Sequence, residues 1–211
     1  MMMVLAVGLL EPRGPVAETI ADLWWLLLGL GTAVFVVFAV LLARGLSRTP
    51  GEAEPDVRKR VGRWLVGGGV LMPAIVLVIV FAATVWAMRV MPTTASRDAL
   101  VVEIVGHQWW FEVHYPDEAV TTTNELHLPV GRRVVLRLTS ADVIHSFWVP
   151  ELGGKMDMLP DDTNALVLQA DEPGEYYSRC AEFCGLHHAD MKMLVIAEPP
   201  DRFAAWVAAQ R

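Results

Sequence analysis

Residues 23–42, Leu-Trp-Trp-Leu-Leu-Leu-Gly-Leu-Gly-Thr-Ala-Val-Phe-Val-Val-Phe-Ala-Val-Leu-Leu, contain no charged side chain. At about 1.5 Å of rise per helical residue, such a stretch reaches about 30 Å, the depth of a bilayer's hydrocarbon core. Trp24 and Trp25 at its start suit an interfacial anchor. A helix buried in a soluble core is the alternative, and the length favours the membrane. Residues 65–85 form a second span of similar length. Its Gly67-Gly-Gly69 run and Pro73 would weaken a helix in water but are common where membrane helices pack closely.

Between the spans stand Arg44, Arg48, Arg58, Lys59, Arg60 and Arg63 against Glu52, Glu54 and Asp56. The positive-inside rule places this loop in the cytoplasm and both termini outside. Residues 1–10 are apolar but have no basic residue ahead of them, so they fit a secretory signal poorly. Charge is unevenly spread. Residues 1–96 carry eight Lys and Arg against six Asp and Glu, whereas residues 97–211 carry nine against eighteen. An acidic second half suits a basic protein partner and argues against nucleic acid.

That second half reads as short strands. Residues 100–105 and 109–115 are rich in β-branched and aromatic side chains, and Leu126, Leu128, Val134, Leu136 and Leu138 alternate with polar neighbours. Further runs at 165–169, 175–180 and 193–197 are separated by turn signals such as Pro129-Val-Gly131 and Glu172-Pro-Gly174. Strands at this spacing predict a Greek-key sandwich or barrel, which periodicity alone does not distinguish from an immunoglobulin-like one. Phe203, Trp206 and Val207 lie at helical spacing near the end and predict a short amphipathic helix.

Both cysteines of the chain fall in Cys-Ala-Glu-Phe-Cys-Gly-Leu-His-His-Ala-Asp-Met, residues 180–191. Thiolate, imidazole and thioether together suit copper, and two thiolates in one short loop could bridge two metals. A Cys180–Cys184 disulfide, or a pair of inert thiols, is the alternative. The order Cys-x-Glu-x-Cys-Gly-x-x-His-x-x-Met, carried by Cys180, Glu182, Cys184, Gly185, His188 and Met191, resembles the dinuclear copper A loop of cytochrome c oxidase subunit II. Residues 142–150, Asp-Val-Ile-His-Ser-Phe-Trp-Val-Pro, look like the place where that family keeps its remote histidine. Residues 106–111, Gly-His-Gln-Trp-Trp-Phe, resemble its aromatic segment, with Trp110 and Phe111 replacing the commoner Tyr-Trp.

The resemblance covers nearly the whole chain and implies a two-helix transmembrane hairpin followed by an all-β cupredoxin-like Greek-key domain. Its parts would be an external N-terminal segment (1–19), transmembrane helices (20–43 and 64–90) around a cytoplasmic loop (44–63), a periplasmic copper domain (91–198) and a C-terminal helix (199–211). The function implied is that of a bacterial inner-membrane oxidase subunit that takes electrons from cytochrome c, or from a cytochrome c domain. It would pass them to haem in subunit I, where oxygen is reduced and protons are pumped. Subunit III and membrane lipid are the further partners implied.

In the family's pattern Cys180 and Cys184 bridge two coppers, and His145 and His188 supply one imidazole to each. Met191 is the weak ligand on one copper and the Glu182 carbonyl its counterpart on the other. The Glu182 carboxylate is implied as a ligand to magnesium shared with subunit I, and Trp109 as the aromatic through which electrons arrive. His187 stands where ligation is not expected. His107, His114 and His127 are read as strand or surface histidines, and Met156 and Met158 as packing at a subunit interface. No Cys-x-x-Cys-His occurs, so no haem c is expected on this chain. Three alternatives remain: the copper A domain of a nitrous-oxide-reductase-like protein, a membrane-anchored copper carrier, and a structural, quinol-oxidase-like subunit without metal.

Overall fold

The computed structural model describes residues 11–47, 57–91 and 99–210. Residues 1–10, the centre of the basic loop with Arg48, Glu52, Glu54 and Asp56, and residues 92–98 lie outside the described residues. The chain divides into two compact units, Asp22–Val90 and the remainder.

Helix α1 (Pro15–Leu46) begins earlier and ends later than the uncharged stretch within it. Proline is preset for a first helical turn, where its missing N–H costs nothing, and Glu18 there faces the positive end of the helix dipole. The second apolar rod is made of α2 (Val57–Val66), a π-helical turn (Gly67–Leu71) and α3 (Met72–Val90). Pro73 cannot donate to residue 69, and its ring would crowd that carbonyl. The widened turn relieves this, with Met72 N–H bonding to Gly67 O, five residues back. Both rods are long and apolar enough to cross a membrane, and the most apolar window of each has no buried residue. Phe35, Phe38, Leu77 and Phe81 all face outward, so neither helix is the core helix of a soluble fold.

Among the described residues the other unit holds ten strands: β1 (Leu100–His107), β2 (Trp110–Tyr115), β3 (Val120–Thr123), β4 (Glu125–Pro129), β5 (Val134–Ser140), β6 (His145–Trp148), β7 (Met156–Met158), β8 (Asn164–Leu168), β9 (Gly174–Cys180) and β10 (Lys192–Glu198). They form two five-stranded sheets, in the orders β3-β2-β1-β5-β8 and β4-β10-β9-β6-β7. The pairs β1–β5 and β4–β10 are parallel, which separates this sandwich from the antiparallel immunoglobulin arrangement. Alternation puts Val102, Ile104, Phe111, Val113, Leu136 and Leu138 inside the core. Each such side chain contributes roughly 1.5–3 kcal/mol by leaving water. Met158 is wholly buried in this same core, a correction to its expected place at a subunit interface. β3 and β7 carry little strand signal, since Val-Thr-Thr-Thr and Met-Asp-Met offer little apolar alternation.

Two details tie the ends to the sandwich. Arg13 N–H donates to Glu151 O at 2.8 Å and Asp171 N–H to Arg13 O at 2.9 Å, while the Arg13 guanidinium pairs with Glu172. Gly14 lies so close that a Cβ there would collide with Gln169 O. At the other end, α4 (Pro200–Gln210) buries Phe203 and Val207. Its Trp206 stacks on His127 at 3.9 Å and 10°. His127 is therefore a buried histidine and not a surface one. Its ring nitrogens lie 2.7 Å from Glu198 Oε1 and 2.8 Å from Glu125 Oε1, which breaks the alternation read along β4.

Candidate metal centre

His145 opens β6 and Cys180 closes β9, two strands that pair antiparallel with Phe147 opposite Cys180. That pairing carries a histidine across a sequence separation of 35 to the cysteine loop. The loop is closed at its base by Cys180 N–H donating to Met191 O at 3.1 Å, and its flank by Ala181 N–H donating to Ser146 O at 3.1 Å. Gly185 takes φ +118°, a conformation open to glycine and strained for other residues. A short 3-10 turn (His188–Asp190) then presents His188 before the chain enters β10.

The donors fall into two groups around neighbouring sulfurs. Cys180 Sγ lies 3.8 Å from His145 Nδ1 and 3.2 Å from Glu182 O. Cys184 Sγ lies 3.6 Å from His188 Nδ1 and 3.8 Å from Met191 Sδ. The two sulfurs are 3.7 Å apart. Both cysteines are free thiols, only 7% and 3% exposed, and His145 and Met191 are as deeply buried. Among the described residues, His145, Cys180 and Cys184 are the group of three metal-ligating side chains close enough to hold an ion. Sulfur, imidazole and thioether gathered in a dry place fit a thiophilic metal such as copper.

Electrostatics agree with a cation-binding site. Burial pushes the Cys184 thiol up to about 12, with the hydrogen bond and charge of Cys180 adding to it. Without a positive ion, this sulfur keeps its proton; coordination would displace it. Asp142 supplies the outer contact of His145, its Oδ1 lying 2.8 Å from His145 Nε2. Burial raises the Asp142 carboxyl, but hydrogen bonds from His145 and from the Gln108 and Val143 N–H groups outweigh it and hold the acid below its ordinary range. Gly106 makes room for the imidazole, since a Cβ there would meet His145 Cδ2 at 2.9 Å.

The structure separates the two adjacent histidines. His188 faces Cys184, whereas His187 packs edge-on against Trp109, ring centroids 4.7 Å apart at 77°. Trp109 also donates from Nε1 to Cys184 O at 3.3 Å. His107 stacks on Trp110 and His114 bonds to Thr121, so neither joins the centre. The Glu182 carboxylate is bonded by the Lys155 ammonium, which also reaches Asp157 at 3.6 Å. One carboxylate does not by itself make a magnesium cage, so the shared site expected from the sequence would need ligands from a partner chain.

Three residues at the centre were not singled out from sequence as part of it: Asp142, Gln108 and Lys155. The spacing of Asp142 three residues before His145, joined to the rule that ligating histidines lean on a carboxylate, was the available signal for the first. Phe183 and Leu186, 80% and 84% exposed, flank the ligands as apolar loop tips.

Comparison with known proteins follows the same outline. A family model described as the periplasmic domain of cytochrome c oxidase subunit II matches residues 118–198. The chain is 36% identical over 207 residues to cytochrome c oxidase subunit 2 of Alkalihalophilus pseudofirmus, covering 94% of this chain but 60% of that protein's length. It is 32% identical over 209 residues to quinol oxidase subunit 2 of Bacillus cereus, covering 95% of this chain and 72% of the relative. Among solved structures, the periplasmic domain of cytochrome oxidase subunit II from Bradyrhizobium japonicum aligns with a TM-score of 0.53 and 28% identity, over 56% of this chain and 96% of that domain. The fold class is thus a pair of apolar helices followed by a cupredoxin-like β-sandwich.

Proposed function

Because the chain belongs to the cytochrome c oxidase subunit II family, we propose that it is the electron-accepting subunit of a bacterial haem–copper oxidase. It takes single electrons from cytochrome c, or from a cytochrome c domain, at a dinuclear copper A centre. It passes them to haem in subunit I, where oxygen is reduced and protons are pumped. The basic loop lies in the cytoplasm, and the sandwich lies outside with both termini. The observation that carries the reading is the arrangement of four donors in two pairs around two thiols 3.7 Å apart.

Cys180, Cys184, His145, His188, Met191 and the Glu182 carbonyl would hold the copper pair. When bound, it supplies a one-electron carrier with the charge shared over two metals. The chain's own contribution is rigidity. His145 is held by strand pairing and by Asp142, and the remaining ligands by a loop closed at its base, so the cage has little freedom to rearrange. Trp109 forms a hydrogen-bonded step from the domain surface to the Cys184 carbonyl. The excess of carboxylates in this half of the chain favours a basic donor.

Copper analysis and an electron paramagnetic resonance spectrum of the purified full chain test the reading. Two coppers per chain, with one unpaired spin spread over both, support it. One copper would indicate a carrier, and none, with Cys180 and Cys184 oxidised together, a structural subunit. The quinol oxidase relative in Bacillus cereus motivates a second reading, in which quinol is the reductant. Both cysteines and both histidines of the centre are present here, which favours the copper reading. Oxidation of reduced cytochrome c, compared with oxidation of a quinol by the assembled oxidase, separates the two.

A further inference from the structure

Gln108 and Trp109 are the two turn residues between β1 and β2, whose last pair is His107 with Trp110. The turn sits against both halves of the metal centre. Gln108 N–H donates to Asp142 Oδ2 at 2.7 Å, and the other oxygen of that carboxylate meets His145 Nε2 at 2.8 Å. The Gln108 side chain reaches the opposite way, and Nε2 donates to Cys184 O at 2.7 Å. It also lies against Gly185, where a Cβ would meet Nε2 at 3.2 Å. The Trp109 indole bonds the same carbonyl at 3.3 Å, so the Gln108 amide is the shorter of its two donors.

We propose that Gln108 is a positioning residue of the centre: through its backbone it fixes the carboxylate that orients His145, and through its amide it holds the cysteine loop in register with that histidine. His145 comes from β6 and Cys184 from the loop after β9. Gln108 bridges Asp142, the partner of His145, and Cys184 from a third place in the fold, at sequence separations of 34 and 76. A carbonyl that loses this donor loses the contact that sets the loop's distance from the β1–β2 turn. Cys184 and the Trp109 contact then move together. The inference concerns the same centre and rests on the copper reading only for its spectroscopic part.

The test uses the full chain in detergent, prepared without copper. Gln108→Met keeps the side chain's length and removes the donor, whereas Gln108→Asn keeps the donor and shortens the reach. In the copper-free protein, Gln108→Met should alkylate at Cys184 about fivefold faster than the unsubstituted chain, the factor one net hydrogen bond carries. The thermal midpoint should not change, and Gln108→Asn should fall between. After loading, Gln108→Met should retain its copper count while its visible bands and reduction potential shift.

Equal alkylation rates overturn the proposal, as does an accelerated rate that simply follows a lowered thermal midpoint. Unshifted bands and potential in the loaded variant overturn it as well. If Gln108→Met is accelerated but the unsubstituted chain takes up no copper pair, Gln108 holds the loop and the copper A reading falls. If the unsubstituted chain loads and the two rates are equal, the copper reading stands and the role of Gln108 falls.

Discussion

Asp142 Oδ1 stands 2.8 Å from His145 Nε2, on the side of the ring away from the thiols. An ionised carboxylate only accepts, so Nε2 carries the proton and Nδ1 is left to face Cys180 Sγ. A contact three residues long thus selects the tautomer of a histidine that faces a cysteine of the neighbouring strand. Replacing Asp142 with Ala should weaken copper affinity by about tenfold to a hundredfold while leaving the copper count at saturation unchanged. Competition with a chelator of known affinity measures it, and an unchanged affinity would remove Asp142 from the centre.

Met191→Leu should keep copper bound but move the reduction potential and the visible spectrum. Met191 Sδ is the thioether beside Cys184, and a thioether is the weakest donor of the set. Loss of all copper from this variant would contradict the assignment.

Trp109→Leu should slow electron acceptance from cytochrome c and leave the copper spectrum in place, because the indole bonds the backbone carbonyl of Cys184 and supplies no ligand. Stopped-flow oxidation of reduced cytochrome c by the assembled oxidase reads the rate. A rate equal to that of the unsubstituted oxidase would take Trp109 off the path.

Gly106→Ala should disturb ligation without replacing a ligand. Its Cβ would arrive 2.9 Å from His145 Cδ2, whereas at Gly154 the nearest atom to a new Cβ is Ile20 Cδ1 at 3.9 Å. Copper content should fall in the first variant and hold in Gly154→Ala. Equal copper content in the two would mean that the imidazole can shift without cost.

Trp206→Ala should destabilise the sandwich by about 2 kcal/mol, since it removes a half-buried aromatic stacked on His127 and packed against Tyr115. Its copper spectrum should be unaltered. Chemical denaturation of the purified chain gives the first quantity, and a loss below about 0.5 kcal/mol would show that α4 adds little beyond surface cover.

The parts of this molecule that could be read along the chain are those governed by local repeats. Apolar length marked the two rods, because a helix shows its composition on every face. Period-two alternation marked β1, β2 and β5, because neighbours along a strand point to opposite sides. It failed at β4, where His127 is buried beneath a helix some eighty residues onward. The ligand types were equally visible: a loop holding two cysteines, a histidine and a methionine states its chemistry through covalent spacing.

By itself, then, the sequence determined two membrane-length helices, a β-rich acidic domain and a sulfur–imidazole ligand set. Tertiary structure decided which histidine of the adjacent pair faces sulfur, that Asp142 orients His145, that Gln108 grips Cys184, and that Lys155 engages the Glu182 carboxylate. Apart from the Asp142 contact, these choices depend on how strands and a loop distant in sequence come together or on how the loop turns, and neither follows from the order of residues within a segment. The physical reason is that periodicity and ligand type are properties of a segment, whereas a hydrogen bond across 76 residues exists only once two sheets have packed.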